Sequence, residues 1–264
     1  TYRNLHSPSH QPFVVCQAKD DQERPRIAFG KNVFLVVWQD LRNEKDYDTY
    51  AARITPEGKV LDPEGILIAS GLFNQSRPRL TFDGVNFFVV WEDLRNGKCY
   101  EVYGARVSPE GKLLDASAIL LNAIKDLNRY MPATATSNDG RSLVVWFGTK
   151  YWVGTGVTAG SLFVRDGKIE KDNGSLEDSR SASGSIGGGG RGGTPVSVVA
   201  GQDGYLVMWR NHRPWGRAGG GDNQNCALII NKDGSFKKGE TLDFTGKPHI
   251  TMDPEGAWDG SSYV

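Results

Sequence analysis

The sequence is short of the residues that usually gather around metals and cofactors. Three cysteines, Cys16, Cys99 and Cys226, are widely spaced in a chain of 264 residues. With no CxxC pair and no Cys/His cluster, zinc and c-type haem sites are unsupported, and the odd count argues against a full disulfide framework. Asp46-x-Asp48 lacks the third acidic position, the glycine and the distal glutamate of a calcium loop. The GGGGRGG run follows no strand that opens a helix, so it is no nucleotide loop, and no cofactor is expected. Charge of one sign is missing too, because 31 basic and 31 acidic residues cancel. The broad basic field that nucleic acid demands is therefore absent. No apolar run approaches the roughly 18 residues of a spanning helix, so membrane insertion is not expected.

Glycine and tryptophan, in contrast, are plentiful, at 33 and 7 residues. That mix suits an all-β protein with many tight turns, and the length allows a sizeable core. The stretch Pro78 to Asp115, PRLTFDGVNFFVVWEDLRNGKCYEVYGARVSPEGKLLD, shows the pattern. Strands are expected at Pro78 to Phe82, Asn86 to Trp91 and Tyr100 to Val107, divided by Asp83-Gly84 and Pro109-Glu110-Gly111. A fourth follows at Ile119 to Asn122.

The pattern recurs. Repeats begin near residues 25, 78, 132, 195 and 254, and the last is a fragment. Trp38 and Trp91 correspond, as do Gly58 and Gly111, both pairs at an offset of 53. Units of this length with four short strands mark a β-propeller, in which each blade buries its faces against its neighbours. A β-sandwich is the competing all-β fold, and the fixed offsets of Pro, Asp-Gly and Trp disfavour it. The expectation is one propeller domain over 1–264, with four full repeats and a partial one. Phe13 to Ala18 reads as an orphan fourth strand that completes the last blade and closes the ring. The chain begins at Thr1 without Met and stops inside the fifth repeat, which reads as processing or as an excerpt of a longer chain.

Pro78, Asp83-Gly84, Trp91, Asp93, Arg95-Asn96-Gly97 and Tyr103, with their counterparts in the first repeat, resemble the TolB-type repeats of bacterial and archaeal propellers. The resemblance covers nearly the whole chain from Pro25. It implies that the first strand of each blade lies innermost, and an extracellular, cell-surface or periplasmic location. It says little about activity, because such propellers bind, scaffold or catalyse.

On that arrangement the first-to-second and third-to-fourth connections share one face, where short Gly turns are explained by turn chemistry alone. The other face carries the second-to-third and fourth-to-first connections, and there the repeats diverge. The third has FGTKYWVGTG after Trp146, the fourth RNHRPWGRAGGGDNQN after Trp209, and between them runs the low-complexity stretch Ser179 to Gly193. Long loops on a rigid scaffold are where binding concentrates.

Three groups of side chains are candidates for chemistry. Asp40 and Asp93 occur together with Arg53 and Arg106 in repeats one and two and vanish together later, which suggests a charge-assisted pair between the second and third strands. Four residues past each blade Trp stand Arg42, Arg95, Lys150 and Arg213. They could ring the channel mouth and face carboxylate or sulfate groups of a polysaccharide, or each could pair with a nearby acid. The most site-like group is Lys150, Tyr151, Trp152, Arg210, His212, Arg213 and Trp215. Aromatic platforms beside basic and hydrogen-bonding groups suit sugar rings, and burial of both Trp under a long loop is the structural alternative.

The leading functional expectation is a non-catalytic extracellular or periplasmic module that binds a glycan or a protein partner. One alternative is a polysaccharide lyase or hydrolase, with His212 or Tyr151 as base and Arg213 or Lys150 neutralising a uronate. Another is a structural subunit of a cell-surface assembly. No sialidase-type Ser-x-Asp-x-Gly-x-Thr-Trp box is present.

Overall fold

Apolar runs bounded by glycine or Asp-Gly turns become strands in the computed structural model, which describes residues 12–121, 128–149, 157–175, 196–212, 223–235, 242–243 and 256–263. The first sheet holds β1 (Gln22–Gly30), β2 (Val33–Asp40), β3 (Asp48–Ile54) and β4 (Ile66–Ala69). The second holds β5 (Gln75–Phe82), β6 (Phe87–Asp93), β7 (Glu101–Val107) and β8 (Ile119–Leu120). The third is β9 (Asn128–Thr136), β10 (Ser142–Thr149), β11 (Val157–Arg165) and β12 (Lys168–Ser175). The fourth is β13 (Val196–Ala200), β14 (Gly204–His212), β15 (Asn223–Asn231) and β16 (Leu242–Asp243).

Each sheet is an antiparallel meander in sequence order, so each repeat is one four-stranded blade. First strands of successive blades touch: β1 meets β5, β5 meets β9 and β9 meets β13. The protein is a β-propeller with its first strands innermost.

Alternation along the second strands builds the blade junctions, because successive residues point to opposite faces. Leu35 and Val37 of β2 pack against Phe87, Val89 and Trp91 of β6. One residue out of step, Phe88 and Val90 pack against Val144 and Trp146 of β10. Leu143 and Val145 then meet Tyr205, Val207 and Trp209 of β14. Each Trp side of a blade is thus covered by the blade before it. Trp91 is fully buried, which contributes about 4 kcal/mol of gross transfer free energy.

The outer faces of blades one and four are covered by the two ends of the described chain. Val15 and Cys16 pack on the Val36, Trp38, Ala52 and Ile54 cluster. Val15 stands 53 residues before Ile68, which stands 53 before Leu121, and those two pack on the Trp sides of blades two and three. The amino-terminal segment therefore lies where the outer strand of a preceding blade belongs. It is not the strand that Phe13 to Ala18 suggests. No ladder forms there, because an outer strand needs a third strand of its own blade as partner and none is present among the described residues. Phe13 and Val14 stay more than half exposed. At the other end Trp258 bridges Tyr263, and Tyr263 packs with Leu206, Met208 and Ala227. Phe87 stands in the same relation to blade one.

Candidate functional site

Strands β2 and β6 end at the divergent face, and each ends in the same closed unit. Trp38 Nε1 donates to Asp40 Oδ2 at 2.7 Å. Arg42 grips the same carboxylate through Nε at 2.9 Å and Nη2 at 2.7 Å, while its own amide donates at 2.9 Å. Its guanidinium lies 3.8 Å over the Tyr50 ring, and Tyr50 stacks on Trp38. In the second blade Trp91, Asp93, Arg95 and Tyr103 repeat every one of these contacts. Burial pushes the Asp40 carboxyl up, but the hydrogen bonds from Arg42 and Trp38 outweigh it and leave the group below the usual range. Arg42 and Arg95 are thereby consumed, and neither belongs to a ring of free cations.

The expected pairing of Asp40 with Arg53 and of Asp93 with Arg106 is likewise overturned. Arg53 binds Asp62 through Nε at 2.8 Å and Nη2 at 2.9 Å, and Arg106 binds Asp115 in the same way at 2.8 Å. These pairs sit at the tight-turn face and staple blades together. Arg53 lies against Gly111 of the next blade, and Arg106 against Gly167. The turns there are also less uniform than expected: blades one and two add a second turn before their fourth strand, whereas Asp166-Gly167 joins β11 directly to β12. An open cleft of about 420 Å³ between Lys31, Thr55, Val85 and Pro109 lies on this tight-turn face.

At the divergent face the innermost strands are strained in register. Arg24, Arg77 and Met131, each just before a proline, have φ of 55°, 52° and 53°. Bulky L-residues avoid this region, at a cost of about 1–3 kcal/mol each. The ladder slips at all three, between Glu23 and Arg26, between Ser76 and Arg79 and between Tyr130 and Ala133. The preceding blade holds the second and third bulges by their amides. Gln39 Oε1 accepts from the Arg77 amide at 3.0 Å, and Glu92 Oε1 accepts from the Met131 amide at 2.6 Å. Glu23 in turn accepts from Gln39 Nε2 at 2.9 Å. Burial pushes the Glu92 carboxyl up to about 6 against the opposing pull of Arg77, whose Nε is 3.7 Å away. Burial and the neighbouring charge of Arg26 lower the Arg79 guanidinium to about 10.

Of the residues singled out from sequence, Arg210 and His212 lie on the last turn of the β14 ladder, opposite Asn225 and Asn223. That places both on the divergent face, one blade from Met131. Lys150, Tyr151, Trp152, Arg213 and Trp215 lie outside the described residues, as does the stretch Ser179 to Gly193. Among the described residues the buried Trp209 indole N–H has no acceptor, in the blade where Asn211 replaces the capping Asp. The bulge and its arginines went unnoticed in the sequence, although Arg24-Pro25-Arg26 and Arg77-Pro78-Arg79 are the same triplet at the same offset.

Neither a protein-family model nor a curated protein matches the chain. Solved structures do. An α-L-arabinanase from Penicillium chrysogenum, complexed with arabinobiose, is similar with a TM-score of 0.61 at 12% identity, over 91% of this chain and 72% of that one. An α-L-arabinofuranosidase from Lactobacillus brevis gives 0.54 at 14% identity, over 84% and 77%. A thermostable family-43 glycoside hydrolase gives 0.50 at 12% identity, over 90% and 79%. At these identities the likeness concerns the fold. It supports a propeller and not the TolB type that the repeat residues suggested.

Proposed function

We propose that this propeller is carbohydrate-active, taking a polysaccharide at the mouth of its axis on the divergent face and cleaving it as a hydrolase or lyase. The observation that carries the reading is the set of in-register bulges at Arg24, Arg77 and Met131. Strain repeated at one end of an axis, and held by dedicated acceptors, is where binding chemistry concentrates. The three glycoside hydrolases that share the fold favour this class over a scaffold. Within it, Tyr151 and His212 are the candidate bases, Lys150 and Arg213 the candidate partners of a uronate, and Trp152 and Trp215 the candidate sugar platforms, with Arg210 beside them. A polysaccharide substrate goes with an extracellular or periplasmic location.

A second reading, a glycan-binding module without turnover, is favoured by one observation. Glycosidases mostly use two carboxyl groups flanking the bond. The described carboxylates at this mouth are Glu23 and Glu92, and Glu92 is occupied with Met131, a task that Gln39 performs in the preceding blade.

Reducing-end release and unsaturated-product absorbance on arabinan, xylan, galactan and polygalacturonate decide between the two. Turnover that His212→Ala or Tyr151→Phe abolishes supports the enzyme. Binding to one of these polymers without turnover supports the module. No binding to any glycan removes both.

A further inference from the structure

The arginines whose side chains are described fall into two populations. Arg42, Arg53, Arg95, Arg106, Arg141 and Arg165 each meet a carboxylate at 2.5–2.9 Å. Arg24, Arg26, Arg77 and Arg79 do not. Among the described residues Arg26 and Arg79 donate only to the carbonyls of Pro25 and Pro78, their own neighbours, at 2.9 and 3.1 Å. Arg77 stands 3.7 Å from Glu92, and among the described residues Arg24 and Arg26 have no ion pair.

These four come from two innermost strands that touch, β1 and β5. The slipped register puts Arg26 opposite Val37 and Arg79 opposite Val90, each on the side of its blade that faces the next one. The Gln39 latch fixes the bulge that carries Arg77 and Arg79. Arg24 and Arg26 are exposed, whereas Arg77 and Arg79 are half-buried. Arg79 feels the charges of Arg26, Arg24 and Arg77 together, and Glu92 opposes them. Desolvated like charges without counter-ions are costly, and an anion relieves the cost. Guanidiniums also match the oxygens of carboxylate and sulfate in a fork geometry.

We propose that Arg24, Arg26, Arg77 and Arg79 form an anion site at the divergent mouth of the axis, taking the carboxylate or sulfate group of an acidic polysaccharide. The glycan part of this assignment rests on the reading above; the anion part does not. Of the four cations that sequence spacing offered for this task, Arg42 and Arg95 are spent on Asp40 and Asp93, and the site is built one strand further in.

Calorimetric titration of the whole chain with tetragalacturonate, a sulfated disaccharide, neutral arabinotetraose and sodium sulfate tests it. Acidic oligosaccharides are expected to bind more tightly than the neutral one. The exposed double variant Arg24→Gln/Arg26→Gln, with an unchanged melting temperature, is expected to weaken them by about tenfold or more and leave arabinotetraose unaffected. Glu92→Gln, which keeps the Met131 acceptor and removes the opposing charge, is expected to tighten them. Sulfate binding that depends on Arg24 and Arg26, without binding of any oligosaccharide, sustains the anion site and removes the glycan reading. Equal binding of acidic and neutral probes, unchanged in the double variant, overturns the anion site and leaves the glycan reading standing. Absence of binding by all four probes overturns both.

Discussion

Gln39, at the end of β2, accepts the backbone amide of Arg77 across the first blade junction at 3.0 Å. That one bond satisfies a donor which the ladder slip removes from the sheet, and it holds a residue at φ 52°. Gln39→Ala therefore loses the acceptor and leaves the strain. A loss of about 1–3 kcal/mol is expected, measured by urea unfolding. An unchanged midpoint would show that the bulge is held by other contacts.

Glu92 does the same work for Met131 with a carboxyl raised to about 6 from its ordinary 4.5. The folded protein keeps this proton over a range in which the unfolded chain has lost it. The contribution of this one group is full below about pH 4.5 and is lost as pH rises through about 6, about 2 kcal/mol in all. Glu92→Gln is expected to remove that slope and to hold or raise the melting temperature at pH 7. Thermal melts from pH 4 to 8 on both proteins check it, and a slope that persists in the variant refutes the assignment to Glu92.

Asp93 is fully buried and carries Trp91 and Arg95 together, whereas Arg95 is one-third exposed. Asp93→Ala orphans a buried indole N–H and strips a guanidinium of its partner, at an expected cost of about 3 kcal/mol. Arg95→Ala leaves Asp93 with the indole and the amide of residue 95 as donors, and costs less. Chemical denaturation followed by tryptophan fluorescence ranks the two. The reverse order would mean that the cation–π contact with Tyr103 outweighs the carboxylate.

Gly84 and Gly111 both have left-handed φ, 97° and 86°, but only at Gly111 would a Cβ meet another side chain, 2.7 Å from Arg53 Nε. Each alanine substitution pays about 1–2 kcal/mol for its backbone. Gly111→Ala must also displace Arg53 from between Asp62 and the next blade. It is expected to be the more destabilising by about 1 kcal/mol, a difference that should shrink when Arg53 is already Ala.

The four blades and most of their strands were legible because they depend on local pattern, whereas the strand at Phe13 to Ala18 and the uniform third-to-fourth turns were not. Pro25, Asp83-Gly84 and Trp91 sit where periodicity puts them. Side-chain pairing was legible only in part. Asp40 and Arg53 do vanish together in later repeats, yet they belong to two separate units, Asp40 with Arg42 and Arg53 with Asp62. Asp62 and Asp115 stand at the same offset as the arginines and would have pointed to the true partner. The left-handed bulges were illegible, since nothing in Arg24-Pro25 announces φ 55°. At Arg77 and Met131 that conformation is held by a hydrogen bond from the neighbouring blade, and a contact between repeats leaves no trace in the pattern within one.

The Trp–Asp–Arg–Tyr unit begins and ends inside its own blade. Everything between Arg42 and Asp48, or between Arg95 and Glu101, hangs from a clamp that takes nothing from the loop beyond it. The hairpin tips are therefore open to rewriting in length and chemistry, in evolution or at the bench, provided that Tyr47 keeps its backbone bonds to Asn74 and Gln75 of the next blade.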